Sequence, residues 1–302
     1  PYGPYEWKRV LERGKTTMNG PHQGGWIHTK YGEDWFIHFQ DKGPYGRVCH
    51  LQPVDWSSGW PVIGNAGEPY WKFRKPKSDS KTIVNPVETD EFDSSKLGMQ
   101  WQWQNDYKES YGQATSMGFF RLFTYALPEL GDVSNLWYVP NMLLQKTPAD
   151  EFTATTKLSF CSRNSDQYVG LVCMSAEYSS VGLQRTEDGY ELQIRHNPNA
   201  MRTHLTDEVL TVDTLKPTQK GTPRKGRPAE MHIKDVYLRM SIKDSKVNYA
   251  YSIDGKKWKK AGGEYAMGKG RWIGSKIGFF AVDPNKTGRK GFIDIDWFRI
   301  SR

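Results

Sequence analysis

Along most of the chain, hydrophobic residues recur with a period of two or in short unbroken runs. The 3.6-residue period of an amphipathic helix is almost missing. WFIHF, GFFRLFTYA, FTATTKLSF, YVGLVCM, GYELQIRH, VYLRMSI, VNYAYSI and FIDIDWFRI are rich in β-branched and aromatic side chains, and that pattern predicts strands. YGED, EDGY, IDGK, KGTP and DPNKTG separate them with turn residues. VNYAYSIDGKKWKKA predicts a hairpin in which Asp254-Gly255 supplies the positive-φ positions of a tight two-residue turn. Alternation in WFIHF puts Trp35, Ile37 and Phe39 on one face and Phe36 and His38 on the other. In FIDIDWFRI, Asp294 and Asp296 share a face opposite Ile293, Ile295 and Trp297. Trp101 and Trp103 share a face with Met99 and read as sandwich interior, and Trp26, Trp35, Trp56 and Trp60 read as packing residues.

These strands fall into two unequal parts. Residues 1–66 hold three or four, residues 67–88 form a Pro-, Lys- and Ser-rich connector, and residues 89–302 carry ten or more at the spacing of a β-sandwich. The last part is long enough for a complete sandwich. The first makes one small sheet and needs cover from elsewhere.

Composition changes the picture in two ways. The 302 residues include 12 Trp, 16 Tyr and 13 Phe, more aromatic surface than packing alone asks for, and flat rings suit sugars or nucleobases. The formal charge of +8, from 42 Lys plus Arg against 34 Asp plus Glu, raises nucleic acid as a partner. Much of the excess sits in the loop-like WKFRKPKSDSK and KPTQKGTPRKGRP and no nucleic-acid motif accompanies it, so solvated loops are the better reading. No apolar run approaches the roughly 20 residues of a membrane span, and no signal peptide is visible in PYGPYEWKRV. Cys49, Cys161 and Cys173 lack metal-site spacing. Cys161 and Cys173 flank SRNSDQYVGLV, a segment that could form a hairpin closed by a disulfide. Nucleophile-elbow, phosphate-loop and H-E-x-x-H motifs are all missing.

One stretch, NGPHQGGWIHTKYGEDWFIHFQD, sets His22 between a proline and Gln23-Gly24-Gly25, just ahead of two aromatic strands. On local grounds the ring either caps backbone groups at a corner or is aimed at a ligand. The segments GPHQGGWIHTKYGEDWFIHFQD and GPYGRVCHLQPVDWSSGWPVIG resemble the closing portion of the five-bladed β-propeller of glycoside hydrolase family 43, the β-xylosidases and α-L-arabinofuranosidases. PYGPYE resembles a strand of an earlier blade. DEFDSSKLGMQWQWQND, GFFRLFTYA, NMLLQKT and GFFAVDPNKTGRKGFIDIDWFRI resemble the concanavalin A-like β-sandwich that follows that propeller in two-domain xylosidases.

This resemblance implies an all-β chain: a partial five-bladed β-propeller over 1–66, a linker over 67–88 and a concanavalin A-like β-sandwich over 89–302. The implied activity is exo-acting, inverting hydrolysis that releases xylose or arabinofuranose from xylan or arabinan oligosaccharides, in a secreted or periplasmic setting. The competing reading is a non-catalytic carbohydrate-binding fragment. His22 would take the place of the family's active-site histidine, as a hydrogen-bond partner or as a ligand of a cation on the propeller axis. Arg47 would be the arginine that reaches into the sugar pocket, where its planar fork suits vicinal hydroxyls or a carboxylate. Trp272 would be the ring that a sandwich loop presses against the pocket.

Inversion needs a protonated and an ionised carboxyl about 6.5–9.5 Å apart. The family's Asp base, its tuning Asp and its Glu acid all lie upstream of the matched segments, and none is identifiable here. An N-terminal propeller segment, in cis or as a separate chain, is therefore the expected partner, with neither nucleic acid nor membrane. The chemistry needs no cofactor. Glu91 and Asp296, on what read as neighbouring terminal strands, are candidate ligands for a structural calcium ion.

Overall fold

A computed structural model describes residues 2–127, 135–201, 205–224, 226–270, 272–285 and 288–302. The chain divides into two compact units, Pro1–Asn85 and Pro86–Arg302. In the first, β1 (Gly25–His28), β2 (Asp34–Asp41), β3 (Arg47–Asp55) and β4 (Val62–Ile63) pair antiparallel in chain order. Trp35 is buried against Phe73, as its side of β2 predicts. Ile37 on that same side is 39% exposed, however, whereas His38 is only 2% exposed. Among the described residues of this unit no second sheet packs on the first, and irregular chain contributes to burial. Trp71 covers His50 on one face, and Phe73 covers Trp35 on the other.

The charged stretch expected to be solvated is partly tied down. The buried Gln52 amide accepts from the Tyr70 N–H at 2.7 Å and donates to the Tyr70 carbonyl at 3.1 Å, replacing a strand partner. Arg74 donates to the buried Glu33 at 2.6 Å, the Lys77 N–H donates to it at 2.8 Å, and Lys30 pairs with Asp79.

In the second unit the strands are β5 (Gln102–Trp103), β6 (Gly112–Ala114), β7 (Phe120–Phe123), β8 (Tyr125–Ala126), β9 (Leu143–Lys146), β10 (Phe152–Ser162), β11 (Tyr168–Met174) and β12 (Tyr178–Arg185). They continue as β13 (Tyr190–Asn197), β14 (Glu208–Leu215), β15 (Gln219–Lys220), β16 (Met231–Lys243), β17 (Lys246–Ser252), β18 (Lys259–Ala266), β19 (Lys276–Asp283) and β20 (Phe292–Ser301). Among the described residues they form two sheets. One runs β18-β17-β16-β10-β20-β7-β6, and the other runs β14-β13-β12-β11-β19-β9-β5. Short β15 joins β16 in the first, and β8 joins β19 in the second.

The sheets pack face to face. Phe279 meets Phe298 at 5.5 Å, and the Tyr249 hydroxyl donates to the Ser179 carbonyl at 2.7 Å. The β11 and β19 sequences, YVGLVCM and KIGFFAVD, are continuous apolar runs because both faces of these strands are covered. Val169, Leu171 and Phe279 are buried, and so are Tyr168, Val172, Met174, Phe280 and Val282, which form a separate cluster with Leu136, Val139 and Met142.

Several sequence expectations change. Cys161 lies on β10 and Cys173 on β11, in different sheets, so SRNSDQYVGLV crosses between layers instead of folding as a hairpin, and both thiols are free. β17 and β18 do form the expected hairpin, but residues 253–258 connect them and only Gly255 there has positive φ. The tight two-residue turn is at Asp244 (φ 50°) and Ser245 (φ 60°), between Lys243 and its partner Lys246. Trp101 is buried between Phe92 and Phe298 and Trp103 is half-buried, while Met99 is fully exposed.

In β20 the alternation breaks at Asp296. Lys157 pairs with Trp297 while Leu158 pairs with Ile295, which leaves Asp296 as an extra residue. From there the faces exchange: Phe298 turns into the core and Trp297 turns outward with Asp296. On the far side of β10, Ser159 stands opposite both Lys234 and Asp235, a second bulge, with Asp235 at φ 56°. The Lys157 ammonium ties the two bulged carboxylates together, 3.1 Å from Asp235 and 2.9 Å from Asp296.

Candidate functional site

The corner that carries His22 is built by pinning irregular chain to the end of β2. The Asn19 amide donates to the Asp41 carbonyl and accepts from the Asp41 N–H, both at 2.9 Å, and Gln40 donates to the Thr17 carbonyl at 3.0 Å. Met18 between these anchors is buried. The left-handed residues of the corner are Gly20, φ 49°, and Gln23, φ 52°, and neither Gly24 nor Gly25. Gly24 is required for space instead. A Cβ there would sit 2.3 Å from the Ile37 carbonyl oxygen and 2.3 Å from the Phe36 ring.

The ring of Phe39 is where the predicted residues meet. The His22 imidazole approaches it edge-on with centroids 5.0 Å apart, and the Arg47 guanidinium lies 4.2 Å above it. Arg47 also donates to the Gln23 side chain at 3.2 Å. Because Arg47 is the cross-strand partner of Asp41, β3 brings it back to the same end of the sheet that anchors the corner. His22 does cap backbone: Nδ1–H donates to the Gly20 carbonyl at 2.5 Å. With Nδ1 as the donor, a neutral imidazole presents Nε2 as an acceptor on an exposed ring. A sugar hydroxyl or a cation is what such a nitrogen can take.

Beside the corner lies an open apolar hollow of about 520 Å³, lined by Pro21, Trp26, Phe36, Val54, Trp56 and Ile63 among others. It meets the corner at Pro21 and not through His22 or Arg47. Trp26 and Trp56, expected as packing residues, are 59% and 42% exposed and stand edge to face at 5.6 Å.

Sequence reasoning missed a histidine pair on the other face of β2. His38 and His50 are direct cross-strand partners, stacked with centroids 5.5 Å apart, and His50 contacts the Gln40 side chain at 3.2 Å. Burial holds both below the usual histidine range, and the charges of His38 and Lys42 push His50 down further. The available signal was their near-symmetrical placement about the turn at Gly43–Tyr45.

In the second unit Trp272 is 64% exposed in a turn ahead of β19. Glu91 and Asp296 each face a cation, and Arg299 feels the charge of both. Arg299 donates to both oxygens of Glu91 at 2.8 Å, and Lys157 holds Asp296. The segment before Glu91 forms no strand of its own but lies beside β20, where Asp90 bridges Phe298.

Residues 89–301 match the family described as the beta-xylosidase C-terminal concanavalin A-like domain. The chain belongs to this family. A Xylanibacter ruminicola protein, provisionally named a beta-xylosidase, is 32% identical over 92% of the chain and 48% of its own length. A beta-xylosidase of Formosa agariphila is 29% identical over 98% of the chain and 50% of its own length. The crystal structure of a family 43 glycoside hydrolase from Bacillus licheniformis superposes with a TM-score of 0.76 at 25% identity, covering 99% of this chain and 57% of that one. The family 43 members it matches are hydrolases, and the chain spans about half the length of the curated relatives it matches.

Proposed function

We propose that these 302 residues are the C-terminal half of an inverting exo-glycoside hydrolase acting on xylan or arabinan oligosaccharides, releasing xylose or arabinofuranose. The Asp base, tuning Asp and Glu acid come from an upstream propeller segment, in cis or as a separate chain, in a secreted or periplasmic protein. The first unit supplies closing propeller blades. A four-stranded antiparallel sheet is the unit that a propeller repeats, and its exposed Trp26 and Trp56 present apolar surface that a preceding blade would cover.

The observation that carries this reading is the convergence of His22 and Arg47 on Phe39. The acceptor nitrogen of the imidazole and the guanidinium fork stand at one end of one sheet, and together they can receive and donate hydrogen bonds to a terminal sugar. All of the acid–base chemistry is assigned elsewhere, so this half contributes binding and orientation.

The test compares the chain extended by its upstream segment with residues 1–302 alone, on p-nitrophenyl β-xyloside and α-arabinofuranoside, with the product anomer followed by NMR. The reading expects hydrolysis with inversion only from the extended protein. Hydrolysis by residues 1–302 alone, or a retained anomer, refutes it. Sugar binding without hydrolysis in the extended protein would instead support the carbohydrate-binding alternative.

A further inference from the structure

The outer face of the sandwich carries a side-chain cluster unrelated to His22 and Arg47. On β10, Lys157 and Ser159 are partly exposed on the outer face and Cys161 follows them in alternation although it is only 2% exposed, while Leu158 and Phe160 point into the core. Cys161 is the direct cross-strand partner of His232 on β16, and Glu230 lies two residues before His232 on the same face, with the buried Met231 between them. Register therefore stacks a thiol, an imidazole and a carboxylate side by side.

Their reactive atoms converge. His232 Nε2 is 2.9 Å from Glu230 Oε1 and 3.4 Å from Cys161 Sγ, and all three ligand atoms lie within 4.8 Å of one another. One ring nitrogen cannot serve both neighbours well with a single proton. A divalent cation serves all three, and the thiolate and carboxylate together balance its charge. Zinc bonds of about 2.3 Å to sulfur and 2.0–2.1 Å to nitrogen at tetrahedral angles separate the two ligands by roughly 3.5 Å, close to the distance seen here. The nitrogen–oxygen separation needs to open by only a few tenths of an ångström. Arg163 donates to the other carboxylate oxygen, Glu230 Oε2, at 2.7 Å, which holds Oε1 toward the cluster.

The two bulges beside β10 have a consequence at this place. They open a cleft of about 230 Å³ lined by Cys161 and His232 together with Lys157, Asp235, Phe119 and Phe292. We propose that Cys161, Glu230 and His232 form a site for zinc or a similar borderline divalent metal, with the remaining coordination position open to this cleft. The mixed sulfur, nitrogen and oxygen donors select against calcium and magnesium, which prefer oxygen alone.

Cobalt(II) titration of the purified 302-residue chain under reducing conditions tests the site, because a bound thiolate adds a charge-transfer band in the near ultraviolet. The site expects one equivalent of cobalt with that band, displaced by zinc. Cys161→Ser abolishes the band, His232→Gln weakens cobalt binding by about tenfold or more, and Cys49→Ser leaves both unchanged. Absence of the band from the wild-type chain, or its loss in Cys49→Ser, overturns the proposal. If Cys161→Ser fails to fold by circular dichroism, His232→Gln decides, and undiminished cobalt affinity in that variant overturns it as well.

Discussion

Gly24 and Gly25 are neighbours in the corner that carries His22, yet the structure asks very different things of them. A methyl group on Gly24 would lie 2.3 Å from both the Ile37 carbonyl oxygen and the Phe36 ring, whereas one on Gly25 meets nothing nearer than the Ile37 side chain at 3.8 Å. Ordinary contact begins near 3.4 Å, so Gly24→Ala must move the corner or β2 by roughly 1 Å. The carbonyl belongs to paired backbone, where Gly25 faces Ile37, and it cannot rotate aside as a side chain could.

Overpacking of that kind costs about 1–3 kcal/mol, and a displacement near 1 Å at a binding group costs on the order of 10²-fold in rate. Gly24→Ala should therefore melt several degrees lower than the parent and, in the extended enzyme, lose roughly two orders of magnitude in kcat/KM. Gly25→Ala should stay within about 0.5 kcal/mol of the parent in stability, the usual range for an unhindered site. Paired thermal melts and p-nitrophenyl xyloside kinetics on both variants decide the matter. Equal behaviour of the two would refute the close-approach argument.

Three further outcomes follow from the structure. Lys157→Met leaves the bulged Asp235 and Asp296 without their shared ammonium; because these groups are partly exposed, urea unfolding should show a loss of about 1 kcal/mol or less, shrinking in high salt. A gain in stability would contradict the clamp. For His38 and His50, the unfolded chain takes up protons near pH 6.5 and the folded one only at lower pH, so the unfolded state binds more protons and stability of the first unit falls as pH drops below about 6.5. Tryptophan-monitored unfolding between about pH 7.5 and 5 checks this, and a slope of opposite sign would rule it out. Burial pushes the Cys161 and Cys173 thiols up to about 12, and Cys49 is exposed. With chelator present, iodoacetamide should label one thiol of the native chain and three after denaturation, read by intact mass; rapid native labelling of all three would show the interior to be open.

Strands were the most legible feature, since β-branched and aromatic runs such as FTATTKLSF specify extended chain through local propensity and alternation alone. What the alternation could not carry was any interruption of it. Asp296 reads as one more outward residue, and nothing in FIDIDWFRI announces that β10 skips it, so Trp297 was placed on the wrong face. Ile37 and His38 misled for another reason: burial on this sheet owes part to Trp71 and Phe73, residues far along the chain. The tight turn at Asp244-Ser245 escaped notice because it lacks glycine, while the visible Asp254-Gly255 sits in a longer loop. At the candidate site, His22 and Arg47 were found through the family pattern. Their meeting point on Phe39 depends on Asn19 anchoring to Asp41, a tertiary pairing with no sequence periodicity. The cation partners of Glu91 and Asp296, Arg299 and Lys157, lie far from them in sequence, and no periodicity announces them.

The central claim is that this half-protein presents His22 and Arg47 to a sugar. Its most direct test is kcat/KM of Arg47→Ala in the extended enzyme on p-nitrophenyl β-xyloside, with a thermal melt recorded alongside. The account predicts a fall of about 10²-fold or more with melting lowered by no more than about 3 °C, the expected loss of one stacking contact. Unchanged kcat/KM together with a large drop in melting temperature would make Arg47 a brace for Phe39 and contradict its role at the sugar.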